Sequence, residues 1–290
     1  MTTLRDELTL IGESINDSVP STKKLYDAND IDGLKALAQS QDEAGAAYID
    51  VNVGSRDGDF LAEMVREVQS VTAKPLSIDT PDPDMVEAGL KAYDPSIAGG
   101  QAPLLNSISQ LRLEMFDLLK VQPFVPILLI SERMNGGESQ PNHSADETYE
   151  TAKALREVAL GHGLSNDQLI YDPAIAPVGA DSEGNIQRLM GAMTLMHGDP
   201  DFAGVHASVG LSNFTVMLPP KREDGMSVKS TLESAFLTRA VPLGLDMVIG
   251  SVKRKYERLS DDHPALQCFD EVLTLEGFDA IMRVQEFYST

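Results

Sequence analysis

"PLLNSIS", residues 103–109, opens like a buried strand and breaks off into polar residues. Leu104 and Leu105 suit a core, but Asn106, Ser107 and Ser109 follow where such a strand would stay apolar. A lone Asn at a strand end is ordinarily a turn former or a local hydrogen-bonder. Its meaning therefore depends on whether other segments break off in the same way. They do: comparable apolar runs lie at LTLIGES (8–14), AYIDVNV (47–53), PLSIDT (75–80), FVPILLIS (124–131), LIYDPAI (169–175), GVHASVGLSN (204–213) and MVIGSV (247–252). These runs are near-continuous rather than alternating, the pattern of parallel strands buried on both faces.

Between the runs lie stretches with helical spacing at 30–45, 59–71, 82–93 and 145–163. Asp82 or Asp84 suits the N-cap of the third, with Pro83 in its first turn, and Gly45 and Gly163 fall where helices should end. Eight strand–helix units of roughly 36 residues each predict an α/β fold, a (β/α)8 TIM barrel. A doubly wound sheet is the alternative, but neither G-x-G-x-x-G nor G-x-x-x-x-G-K occurs. No linker or low-complexity segment interrupts the chain. The expectation is a single domain over 1–290, with the barrel at about 8–252 and C-terminal helices over 253–290.

The formal charge of −22 argues against nucleic acid as a partner, because such binding requires a basic surface that displaces counterions. It suits solubility and leaves open a docking partner with a basic face. No apolar run reaches about 18 residues, so no membrane span is expected. The opening MTTLRDELTLIGES lacks an apolar stretch after a basic start, so no signal peptide is expected either. Cys268 is the only cysteine, which excludes an internal disulfide and any zinc site built on several thiolates. These features point to the cytoplasm.

In a barrel the strand C-termini meet at one rim, where the binding and catalytic groups of this fold gather. That rim collects Glu13 and Asn16 from the first run, then Asn52, Asp79, Asn106, Asp172 and Asn213 from later ones. Carboxylates and carboxamides together suit the edge of a planar heterocycle that alternates N–H donors with acceptors. They do not suit nucleophilic hydrolysis, since no Ser-His-Asp grouping or G-x-S-x-G stands out. H-E-x-x-H is absent and the five histidines are scattered, with only His206 on a predicted strand, so no metal site is expected.

LIGESIN (10–16), YIDVNVG (48–54), SIDT (77–80), LLNSIS (104–109), YDPAI (171–175) and SVGLSN (208–213) together resemble the pterin-binding barrel family. That family includes dihydropteroate synthase, the folate module of cobalamin-dependent methionine synthase, and the methyltetrahydrofolate:corrinoid protein methyltransferases. GESIN and GLSN are similar to the methyltransferase branch. The synthase branch has a Gly-rich stretch ending in Lys after its Asp-Pro, where this chain has DPAIAPVGAD.

The resemblance implies that Asp79, Asn106 and Asp172 contact the pterin, with Asp172 accepting from the 2-amino and ring N–H edge. It puts Asn106 and Asn213 near N5 and the reacting methyl, as the catalytic pair, with Glu13, Asn16 and Asn52 supporting this floor. Lys221 or Arg222, in LPPKRE, aligns with a basic residue that meets the acidic tail of folate. The implied reaction moves a methyl group between N5 of tetrahydrofolate and the cobalt of a corrinoid (cobalamin). No D-x-H-x-x-G stretch supplies a cobalt ligand; the nearest is DDHPAL (261–266), with Leu266 in place of the Gly. The corrinoid is therefore expected on a separate corrinoid protein, and the resemblance implies a homodimer. Three positions depart from the pattern: Ser14 where Arg is common, Val216 where the corrinoid/iron–sulfur branch has Gln, and Ser251 where the eighth strand commonly ends in Asp. The alternatives are a dihydropteroate synthase-like enzyme forming a C–N bond, and a folate-binding subunit without turnover.

Overall fold

The computed structural model describes residues 2–289. Among them eight parallel strands close a barrel: β1 Thr9–Asn16, β2 Tyr48–Asn52, β3 Leu76–Asp79, β4 Leu104–Ile108, β5 Val125–Leu129, β6 Ile170–Asp172, β7 His206–Gly210 and β8 Met247–Gly250. Each pairs with its sequence neighbours, and β8 returns to pair with β1. Closure removes both sheet edges, so no strand is left with an open row of backbone groups. All eight predicted strands are present. The seventh ends three residues earlier than expected, at Gly210, and the chain then makes a single helical turn.

Four helices fall where the periodicity put them: α2 Ile31–Glu43, α3 Gly58–Gln69, α4 Pro83–Ala92 and α5 Ala145–Gly161; the structure adds α1 Pro20–Asp27, α6 Asn185–Gly198, α7 Leu211–Phe214 and α8 Val228–Ala240. Asp82, not Asp84, caps α4; its carboxylate accepts from the backbone N–H groups of Asp84 (2.9 Å) and Met85 (3.3 Å), and Pro83 opens the helix. Gly45 and Gly163 follow the ends of α2 and α5 at φ of 86° and 85°, a region that costs glycine alone no steric penalty. The helices α9 Pro264–Val272 and α10 Gly277–Tyr288 pack on each other, and α9 packs on α8. No helix among the described residues is long and apolar enough to cross a membrane.

Two apolar compartments hold this together. The larger lies between strands and helices, and the smaller is a plug inside the barrel made by Ile11, Leu104, Ile127, Ile170, Met247 and Ile249. Because side chains alternate along a strand, residues two positions beyond this plug also face inward, and there the sequence turns polar. Two ladders are irregular at that level. The β1–β2 register shifts between Gly12 and Ile15, which sets Glu13 and Ser14 opposite Asp50. The β4–β5 register shifts between Asn106 and Ile108, with Ser107 as the extra residue. Such bulges re-aim side chains and are common beside active sites. Ser109, just after β4, is buried, and its hydroxyl accepts from Leu111 N–H within the following turn.

Among α7, α8 and α9, Phe214, Phe236 and Phe269 pack as a trio with centroids 5.4–5.9 Å apart. Phe236 is fully buried there. Truncating it leaves a cavity as well as lost apolar burial, so Phe236→Ala should lower unfolding free energy by about 3–5 kcal/mol. Urea unfolding followed by circular dichroism measures this.

Candidate active site at the barrel rim

Above the plug the barrel opens into a cavity of about 530 Å³. Its polar lining comes from six segments and includes Glu13, Asn16, Asp50, Asp79, Asn106 and Asp172. Asn213 and Val216 line it from the side of α7, and Ile249 belongs to its floor. No histidine, cysteine, lysine or arginine lines it among the described residues. Nor do the described residues hold a group of three or more potential metal ligands.

The strand register explains which groups meet. Asp79 and Asn106 are direct partners across the β3–β4 ladder, so they stand side by side on the inner face. Asn52, the last residue of β2, donates its amide to Asp79 at 2.9 Å and accepts from Gly54 N–H at 2.9 Å. Its side chain is thereby spent on holding Asp79. Burial pushes the Asp79 carboxyl above its ordinary value, against the lowering effect of the Asn52 hydrogen bond.

Asp172 ends β6 beside Leu129 of β5. One of its oxygens accepts from Ala174 N–H at 2.8 Å, and Ala174 takes a left-handed φ of 55° to permit it. The Arg188 guanidinium on α6, itself almost fully buried, braces this turn by donating to Pro173 O at 2.8 Å and to Thr148 Oγ1 at 3.0 Å. Burial pushes Asp172 up to about 6, while the Ala174 hydrogen bond and the Arg188 charge hold it lower than burial alone would.

Glu13 accepts from the Ser212 hydroxyl, which ties the end of β1 to α7. Burial pushes Glu13 up too, against Ser212 and the nearby Arg254 charge. Asn16 uses its side-chain oxygen locally, accepting from both the N–H (2.9 Å) and the hydroxyl (2.7 Å) of Ser18. Asn213 is not at a strand end, contrary to expectation. It occupies α7 beyond Gly210, exposed at the cavity edge, because the Leu-Ser-Asn-Phe turn buries Leu211 and Phe214 and turns its polar residues outward.

Lys221 and Arg222 do not line the cavity. Lys221 is exposed and bridges to Ser227 in a short antiparallel contact. Arg222 stacks its guanidinium 4.9 Å from the Phe287 ring and pairs with Asp224 at 3.3 Å. His263, the nearest match to a cobalt-ligating histidine, instead caps α9 by accepting from Ala265 N–H at 3.1 Å.

The residue missed in the sequence is Asp50. It is fully buried one layer below Asn52, level with Ser77 of β3, and it contributes to the cavity. Neither of its carboxylate oxygens has a hydrogen-bond partner, and the fully buried hydroxyls of Ser77 and Ser208 also lack one. Burial and then the neighbouring Asp79 charge push Asp50 well up. The signal was available: an inward-facing Asn52 requires residue 50, two positions earlier, to face inward as well.

A model of the family described as pterin binding enzyme matches residues 15–250. The chain belongs to that family. A curated member, the methylcorrinoid:tetrahydrofolate methyltransferase of Eubacterium limosum, is 26% identical over 243 residues, spanning 83% of each chain. The fold is that of solved pterin-binding enzymes. The dihydropteroate synthase of Xanthomonas albilineans, with 4-aminobenzoic acid, gives a TM-score of 0.58 at 17% identity, over 96% of this chain and 94% of that one. The Yersinia pestis enzyme with a pterine–sulfa conjugate gives 0.55 at 14%, over 96% and 92%.

A raised carboxyl has a consequence for stability in this chain. The folded state holds the Asp172 proton up to about pH 6, whereas the unfolded chain releases it near 3.8. Folding stability therefore falls as pH rises between these values and stays reduced above them. Asp172→Asn removes the titration and retains an acceptor for Ala174 N–H. Its melting temperature should exceed that of wild type by a margin that grows from pH 4 to pH 6 and then levels off.

Proposed function

We propose that this protein is a methyltransferase that moves a methyl group between N5 of tetrahydrofolate and the cobalt of a corrinoid held by a separate protein. The observation that carries this reading is the inward set of Asp50, Asp79, Asn106 and Asp172 around one cavity. A pterin offers several N–H donors in one plane, and such an edge would satisfy the unpartnered Asp50 carboxylate and the remaining acceptor capacity of Asp79 and Asp172. The methyltransferase relative from Eubacterium limosum supports the choice of reaction, and the DPAIAPVGAD stretch lacks the lysine loop of the synthases.

In this reading Asp172 takes the 2-amino and ring N–H edge as a two-oxygen fork, its turn held rigid by Arg188. Asp79, fixed by Asn52, and Asp50 below it read the remaining polar edge. Asn106 on the bulge of β4 and Asn213 at the mouth address N5. A neutral amine is a poor leaving group, so transfer from N5 requires positive charge there, and the carboxamide oxygens of these residues stabilise that charge as it develops. Neither Asn is an acid at neutral pH; both act by orientation and hydrogen bonding. The corrinoid, when its carrier docks over the rim, supplies the cobalt that exchanges the methyl. The role of His263 as a helix cap fits a corrinoid ligated by the carrier rather than by this chain.

Asn106→Ala and Asn213→Ala should each fold normally and lower the methyl-transfer rate roughly 100-fold, as removal of one preorganised polar group does, with folate affinity changed far less. Single-turnover mixing of each variant with tetrahydrofolate and a methylated corrinoid protein measures this; wild-type rates in both variants would refute the mechanism. Folate affinity should also depend on pH. A protonated Asp172 cannot accept at both oxygens, so the dissociation constant should rise about tenfold per unit as pH falls below about 6, and Asp172→Asn should flatten the profile. Anaerobic calorimetric titration between pH 5 and 8 gives the comparison.

A further inference from the structure

Asn213 rides on α7, four residues with no side-chain cap at the N-terminus. So short a turn has no stability of its own, because nucleation costs more than one turn of hydrogen bonds returns. Leu211 and Phe214 anchor it in the core. Apolar packing is non-directional, however, and leaves the aim of the polar face undetermined.

Hydrogen bonds flank Asn213 on both sides. Ser212 donates to Glu13 of β1. Thr215, which ends the turn, donates Oγ1 to Glu233 Oε1 on α8 at 2.6 Å. Arg254, from the segment after β8, donates to the same Glu233 oxygen, and its charge also acts on Glu13. Glu233 is 1% exposed, its second oxygen has no partner, and it does not line the cavity. Burying a carboxylate is costly even when it is paired.

We infer that Thr215, Glu233 and Arg254 form a positioning unit that fixes the Asn213 carboxamide at the cavity mouth, with Ser212 and Glu13 as the opposing tether. The inference rests on the functional reading above, in which Asn213 faces N5. Through this unit the loops after β7 and β8 hold one reacting geometry. None of the three residues needs to touch folate.

Thr215→Val removes the tethering hydroxyl at nearly constant volume, and Thr215→Ser restores it. Thr215→Val should lower kcat for methyl transfer by about 10- to 100-fold, the effect of a small misplacement of a reacting group, with KM for tetrahydrofolate within roughly threefold of wild type. Thr215→Ser should recover most of the rate. The double variant Asn213→Ala/Thr215→Val should turn over at the rate of Asn213→Ala alone, because the tether acts only through Asn213. Hydrogen exchange of residues 211–216 should quicken in Thr215→Val and in Glu233→Ala, a readout that needs no turnover. Unchanged exchange, an unchanged kcat in Thr215→Val, or additive losses in the double variant would each overturn the tether. An inactive wild type would count against the methyltransferase reading instead, and exchange alone would then decide the tether.

Discussion

The constraint on which the site depends is the gathering of four carboxylates, Asp50 fully buried and Glu13, Asp79 and Asp172 half-buried, at the C-terminal end of one closed barrel. Burial pushes every one of them above its ordinary value. The fold compensates three with hydrogen bonds: Ser212 to Glu13, Asn52 to Asp79 and the Ala174 backbone to Asp172. Asp50 receives none. An apolar residue in its place would pack against the plug without that cost, so the fold itself does not call for a carboxylate there. Sites where a sequence breaks a local rule at a cost in stability are where function is to be sought.

The barrel makes that cost bearable. Closure satisfies the backbone of all eight strands and leaves the plug as a rigid floor. The bulges in β1 and β4 then interrupt the ladder only near the rim, at Glu13–Ser14 and at Ser107. Regular pairing below supplies stability, and irregular pairing above supplies direction. Asn106 shows both: it still pairs with Asp79 across the ladder, while the chain beyond it leaves the strand. Its polarity, first legible only as a strand that failed to stay apolar, is part of a cavity wall.

The fold was legible because its signals are local. Apolar runs, helix periodicity, the Asp82 cap and the glycines after α2 and α5 each depend on a few neighbouring residues. The strand-end residues were legible for the same reason, since one fold brings all such ends together. Asp50 escaped notice because it lies inside an apolar run rather than at its end. Asn213 reads as strand in the sequence because the apolar pattern of GVHASVGL continues past Gly210, whereas in the structure Leu211 and Phe214 are buried and the next residues form a helical turn. The Glu233–Arg254 contact joins residues from α8 and the loop after β8, and Arg188 braces a turn 14 and 15 residues before it. No local pattern announces either.

The departures from the family pattern acquire a physical sense at the rim. Ser14 stands where an arginine is common, and its backbone N–H is taken by the buried Gln41 side chain at 2.8 Å. The cation whose charge acts on Glu13 is Arg254, from the segment after β8, the strand that pairs with β1. Val216 stands where one branch has Gln, and an aliphatic side chain at the cavity edge cannot hydrogen-bond to N5. In the proposed reaction the polar work at the methyl therefore falls on Asn106 and Asn213 alone. Asn106 is held by a strand, but Asn213 sits on an isolated turn. The fewer groups that address the reacting atom, the more each degree of its freedom matters, and this is the residue whose two flanks the protein ties to buried carboxylates.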